Sequence, residues 1–167
     1  VAVPLGAAAS ATIGVAVVFG LLYDWPLKST AFSVVPYLIA FGLLPAFVVI
    51  ALPGRPLPPS WLVAAAALLG AGAHFANVLP DLADDAATGV RGLPHRIGAA
   101  GSRLAASALL LGATVTLVLG PPGAPSWSGW AAGAAAVVVG RPVALFRAVI
   151  VVALIDVVLL ISTGPVV

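Results

Sequence analysis

Apolar runs of close to membrane-spanning length dominate this chain. Ala, Leu, Val and Gly stretches at about 4–22, 31–52, 61–79, 104–119, 129–139 and 143–161 are separated by breaks rich in Pro, Gly and charge. A helix needs about 20 apolar residues to cross the hydrocarbon core, with a usual range of roughly 17–25. Five of the runs approach that length, and the run at 129–139 is short for it. Apolar residues make up 62% of the chain and charged residues 7%, against about 25% charged in an ordinary soluble domain. A soluble fold of 167 residues cannot hide that much apolar surface. Disordered chains are polar and charged, so disorder is excluded too. A transmembrane barrel would show alternating segments of roughly ten residues, not unbroken runs. The expected fold class is therefore all-α: a polytopic membrane helical bundle of about six transmembrane helices, forming a single membrane-embedded domain over 1–167.

The seven basic residues fall between or at the ends of the runs and form no patch, which argues against nucleic acid binding. Lys28, Arg91, Arg96, Arg103, Arg141 and Arg147 belong to alternate connections, on one side of the membrane, and only Arg55 belongs to the other. This bias puts the connections after the first, third and fifth runs in the cytoplasm. There is no cysteine, so no disulfide and no thiolate metal site. There is no methionine either, even at position 1, and the expectation is an N-terminally truncated piece of a longer protein.

Three of the five acidic residues, Asp81, Asp84 and Asp85, lie within five positions. Asn77, Asp81 and Asp85 are four apart, a spacing that stacks side chains on one helical face. Pro80 suits a helix start and Gly89 a C-terminal cap, so 81–88 reads as about two helical turns after the third run. Clustered carboxylates repel unless a cation sits among them. Mg²⁺ takes one or two carboxylates and shares its remaining positions with water and substrate phosphates. A phosphate-bearing substrate with a lipid tail would suit such a cluster at a membrane surface. Helix-capping aspartates in a solvated loop would explain the same spacing. Arg91, Arg96 and Lys28, on the same side, could offset negative charge on a leaving phosphate or could merely set topology.

The string Asn77-x-x-x-Asp81-x-x-x-Asp85-x-x-x-Gly89-x-Arg91-x-Leu93-Pro94-x-x-x-Gly98 resembles the second aspartate-rich motif of the UbiA-type intramembrane prenyltransferases. Upstream, Leu22-Tyr23-Asp24-Trp25-Pro26-Leu27-Lys28 looks like that family's Tyr-containing loop. The resemblance covers nearly the whole chain, as the back portion of a nine-helix fold. It departs where Ser29 follows Lys28, where Val78 follows Asn77, and in having no counterpart of the family's first Asn/Asp-rich motif. The resemblance implies an Mg²⁺-dependent enzyme that transfers a prenyl group from a polyprenyl diphosphate to a small, commonly aromatic, acceptor. It implies Asp81 and Asp85 as Mg²⁺ ligands, with Asn77 and Asp84 supporting the metal or diphosphate. It implies that Lys28 and Arg91 contact the diphosphate and that Tyr23 lies beside the site. A cation-coupled transporter using Asp81, Asp85 and Asp156, or an inactive scaffold, are the competing readings.

Among other residues, His74 is expected to be a packed, hydrogen-bonded residue and His95 to be solvated. Asp156 lies in the middle of the last run, where a carboxylate is costly and defaults to a functional hypothesis. Trp61, Trp127 and Trp130 read as interfacial anchors, and Gly70, Gly72, Gly112, Gly133 and Gly140 as sites of close helix packing.

Overall fold

The computed structural model describes residues 6–54, 56–122, 134 and 145–162. Helices α1 (Ala7–Asp24), α2 (Val35–Ile50), α3 (Ser60–Val78), α4 (Leu82–Ala87), α5 (Leu93–Leu119) and α6 (Leu145–Ser162) follow one another, with 3₁₀ turns at Leu27–Ser29 and Leu79–Asp81. The run at 129–139 (apart from residue 134), Arg55, Arg141, Trp127, Trp130, Gly133 and Gly140 lie outside the described residues.

Helix α3 is the centre. It packs against α2 on one side and α5 on the other, α1 packs on α2, and α6 lies against α5 and α3. The reason is its composition. Leu62, Ala65, Gly70, Ala71, Gly72 and Ala76 are all buried, and most are small enough to bring neighbouring backbones close. A side chain at Gly70 would collide with the Phe41 ring of α2, and one at Gly72 would come within 2.9 Å of Leu110 of α5. Gly112, by contrast, faces Leu68 at an ordinary 3.6 Å, so close packing does not require a glycine there. Three small clusters run along this axis. Ala65, Leu117 and Leu159 lie near the start of α3, Leu110 and Val152 near its middle, and Phe75, Ala76 and Ala106 near its end.

The outer surface is apolar as well. Val15, Val18, Leu21, Val48, Leu104, Leu154, Val158 and Ile161 all point outward. Among the described residues, three stretches are long and apolar enough to cross a membrane: Ala7–Asp24, Ser60–Ala87 and Leu93–Leu119. Val35–Ile50 and Val149–Ser162 are shorter apolar helices. Half of the α3 span is buried (50%) against 11% for α1, so α1 is a flank presented to its surroundings. The all-helical membrane bundle expected from the sequence is the observed architecture.

Two boundaries differ from expectation. The helix of the fourth run, α5, starts at Leu93, not near 104, so most of the polar stretch 80–103 is helical. Its polar residues disguised it, because periodicity is read from apolar positions. Gly98 breaks it with φ 72° and ψ 177°, a conformation L side chains rarely adopt. The buried Ser102 hydroxyl donates to the Pro94 carbonyl at 3.1 Å across that kink, replacing a bond the kink removes. The second helix starts at Val35, not at 31, because Pro36 suits the first turn and 31–34 form a turn. Trp61 is partly buried against the Ala65, Leu117 and Leu159 cluster.

Gly70→Val should lower the unfolding temperature in detergent, with an overpacking cost of about 1–3 kcal/mol. Gly112→Ala should leave it unchanged or raise it, by up to roughly 1 kcal/mol of helix propensity. Equal effects of the two substitutions would contradict the packing described.

Candidate active site

The connection after α1 is short and internally bonded. Thr30 holds it, its hydroxyl donating to the Leu27 carbonyl at 2.9 Å and accepting the Phe32 N–H at 3.1 Å. Ser33 follows and is fully buried. Its Oγ accepts the Leu93 N–H at 2.9 Å and lies 3.1 Å from Nε2 of His74. One hydroxyl thus ties the first connection to α3 and to the start of α5. Beside it, a Cβ at Gly92 would sit 2.5 Å from the Lys28 carbonyl oxygen and 2.9 Å from Ser33 Oγ. Glycine at 92 lets the backbone that follows Arg91 lie directly on the backbone of Lys28. The two sequence motifs, about 60 residues apart, meet here.

Aromatic rings line the adjoining interior. Tyr23 and Tyr37 meet edge to face at 5.0 Å, and Tyr37 lies 4.7 Å from the His74 ring. A cavity of about 470 Å³ opens beside them, with Tyr23, Asp24, Tyr37, Phe41 and Asn77 in its wall. His74 is 1% exposed, the packed and hydrogen-bonded residue expected.

The acidic motif does not form one continuous helix. α3 ends at Val78, a 3₁₀ turn carries Pro80 and Asp81, and α4 covers only Leu82–Ala87. A 3₁₀ turn advances 120° per residue against 100° in an α-helix, so the even stacking of Asn77, Asp81 and Asp85 is broken. Asn77 lines the Tyr23 cavity, while an Asp85 oxygen lies 3.6 Å from Nε2 of His95. Asp81 occupies the N-cap position of α4 yet makes no side-chain capping bond there. The capping explanation for that carboxylate therefore fails. Asp81 and Asp84 are exposed and Asp85 is half-buried. Gly89 ends the segment at φ 86°, as its expected cap position requires.

Beyond the cap, Arg91 is exposed, and its carbonyl accepts a bond from Arg96 Nε at 3.2 Å. Arg91, His95 and Arg96 share a second cavity of about 440 Å³. Tyr23 and Asn77 are thus brought together, and Arg91 stands with the His95 that faces Asp85. The Lys28 side chain is exposed and is not among the residues lining either cavity. His95 is not solvated as expected: its side chain is 8% exposed, because the helical start of α5 turns it toward Asp85. Among the described residues, no three His, Cys, Asp or Glu side chains converge as a ready metal cage.

The family model for UbiA prenyltransferases matches residues 1–157. The chain belongs to the UbiA prenyltransferase family. No curated protein and no solved structure matches it. Membership agrees with the apolar helices in making this an integral membrane protein of a transferase family. Reading of the sequence did not single out Ser33, and it expected His95 to be solvated. Ser33 carries no local signal, since its role depends on chain segments brought from elsewhere. His95 could have been suspected from its place ten residues after Asp85, across a glycine turn.

Ser33→Ala would leave the half-buried Leu93 N–H and the buried His74 Nε2 without this partner, at a cost of about 1–3 kcal/mol. The expected result is a lower unfolding temperature and faster hydrogen exchange at the Leu93 amide. Unchanged exchange would show that the hydroxyl does not tie the segments together.

Proposed function

We propose that the protein transfers a prenyl group from a polyprenyl diphosphate to a small acceptor, commonly an aromatic ring, within the membrane. The observation that carries this reading is the meeting of the Tyr23–Lys28 connection with the Arg91–Gly92–Leu93 segment beside uncapped, exposed carboxylates. The reading takes the chain as the back portion of a nine-helix bundle.

The donor set suits Mg²⁺. Asp81 and Asp85 offer hard carboxylate oxygens, the donor type that Mg²⁺ takes alongside water and phosphate oxygens. When bound, Mg²⁺ would neutralise charge on the diphosphate. Asn77 and Asp84 would support the metal or the diphosphate. Lys28 and Arg91 would contact the diphosphate oxygens, with Arg96 bonding the Arg91 carbonyl. Such fixed positive charge counts most where negative charge grows on the leaving group. The allylic C–O bond breaks with its electron pair going to the diphosphate. The acceptor ring then bonds to the allylic carbon and loses a proton. Tyr23 and its aromatic neighbours would present ring faces to the allylic cation, an attraction worth about 0.5–2 kcal/mol. The apolar helices would sheathe the isoprenoid tail.

In membranes carrying the full natural protein, Asp81→Ala and Asp85→Ala should each reduce Mg²⁺-dependent diphosphate consumption by about a hundredfold or more. Lys28→Ala and Arg91→Ala should raise the KM for the prenyl diphosphate. Full activity in both aspartate variants would remove the assigned site and favour a transporter or an inactive scaffold.

The site would face the cytoplasm, as the distribution of Lys and Arg directs. The chain has no cysteine, so single cysteines can report sidedness. Ser29→Cys should react with an impermeant maleimide added to the cytoplasmic face, and Leu57→Cys with one added to the opposite face. The reverse pattern would invert the topology.

A further inference from the structure

Asp156 is used by nothing described so far. It sits on α6, is 4% exposed, and neither carboxylate oxygen makes a well-formed hydrogen bond among the described residues, although the Thr114 hydroxyl of α5 is close enough to interact with it. It stands in the wall of a cavity of about 230 Å³ otherwise made of apolar side chains, among them Leu44 and Pro45 of α2, Leu62 and Ala65 of α3, and Leu117 of α5. Ala65 and Asn77 are twelve residues apart on α3, about 18 Å along the axis, so this cavity lies toward the opposite end of the bundle from the acidic motif.

We propose that this cavity is a second ligand site, taking a small lipophilic molecule whose hydroxyl group bonds to Asp156. A buried carboxyl group needs a partner in either protonation state, and leaving it without one is costly. Water is a poor occupant. It needs two to four polar partners, and among the described residues the cavity wall offers only the Asp156 carboxyl, with the Thr114 hydroxyl beside it shared with the Leu110 carbonyl at 3.4 Å. A bare hydrocarbon tail would fill the space but leave the carboxyl unsatisfied. A hydroxyl serves both states, because it donates to a carboxylate and can accept from a carboxylic acid. At about 30 Å³ per water-sized group, the space holds roughly eight such groups, the size of one substituted ring. The helices around it offer their outer faces to lipid, the phase in which such a molecule concentrates. Phe41 stands in the wall of both this cavity and the Tyr23 cavity, so an occupant here would touch a ring that the other site also uses.

The test compares 4-ethylphenol with ethylbenzene, which differ by one hydroxyl, at equal mole fraction in detergent micelles. The readout is the rise in unfolding temperature, since a ligand that binds only the folded state stabilises it. The wild-type protein should respond to the phenol at concentrations about tenfold lower than to the hydrocarbon. Asp156→Asn, which keeps hydrogen-bonding capacity, should retain that preference, and Asp156→Leu should abolish it. An independent measurement needs no variant. A hydrophobic carbodiimide, which couples to buried carboxylic acids, should label Asp156 by mass spectrometry, and 4-ethylphenol but not ethylbenzene should slow the labelling. An undiminished phenol preference in Asp156→Leu, or labelling that 4-ethylphenol does not slow, overturns the proposal. Neither readout depends on prenyl transfer, so the outcome is separate from the fate of the proposed reaction.

Discussion

The close approach of α2 and α5 to opposite sides of α3 is the contact on which everything else rests. In lipid, apolar side chains gain little from leaving their solvent, so association depends on tight packing and on interhelical hydrogen bonds. Gly70 and Gly72 supply the first by admitting Phe41 and Leu110 against the α3 backbone. Ser33 and His74 supply the second about one turn further along the same helix. If α3 carried bulky residues along these lines, α2 would stand away from it. Tyr37 would then no longer reach His74, and the aromatic wall beside Asn77 would open.

That packing also explains how a polar site exists at the end of an apolar bundle. Several polar groups at this end engage one another: Ser33 bonds Leu93 and His74, Arg96 bonds the Arg91 carbonyl, and Asp85 lies 3.6 Å from His95 without a hydrogen bond. Asp81 departs from this pattern, standing at a helix start without capping it. A carboxylate held at a defined position but left out of the local bonding is suited to a ligand from outside. Asp156 is the buried counterpart, a carboxyl group in an apolar wall at the far end. The two ends therefore differ chemically. One presents exposed charged side chains, and the other a carboxyl group set in an apolar cavity wall.

Much of the helical organisation was legible in the residues. The third run was read as 61–79 and is Ser60–Val78, because its breaks carry prolines and its interior is uniformly apolar. The start of α5 was not legible. Leu93 to Arg103 contains Pro, Gly, Ser and two arginines, and the hydrophobic pattern that marks a helix is absent over that stretch. The acidic motif was found from its spacing, and its position beside the Tyr23 connection followed from the family resemblance. The geometry inside the motif was not found. Pro80 lacks an N–H, the chain tightens into a 3₁₀ turn there, and a change of a few tens of degrees per residue separates Asn77 from Asp85.

The sequence alone determined the solvent and the secondary structure. Runs of this length and apolarity must be helices in a bilayer, since no other open structure satisfies its own backbone there. It also determined which residues carry charge and where they cluster along the chain. Only the tertiary structure decided which of those charges meet. That Gly92 rests on the Lys28 carbonyl, that His95 turns to Asp85, and that Asp156 faces an apolar cavity all depend on helix rotation and crossing. Those are set by contacts between residues tens of positions apart, and hydrophobic periodicity within one helix contains no information about its neighbour's shape.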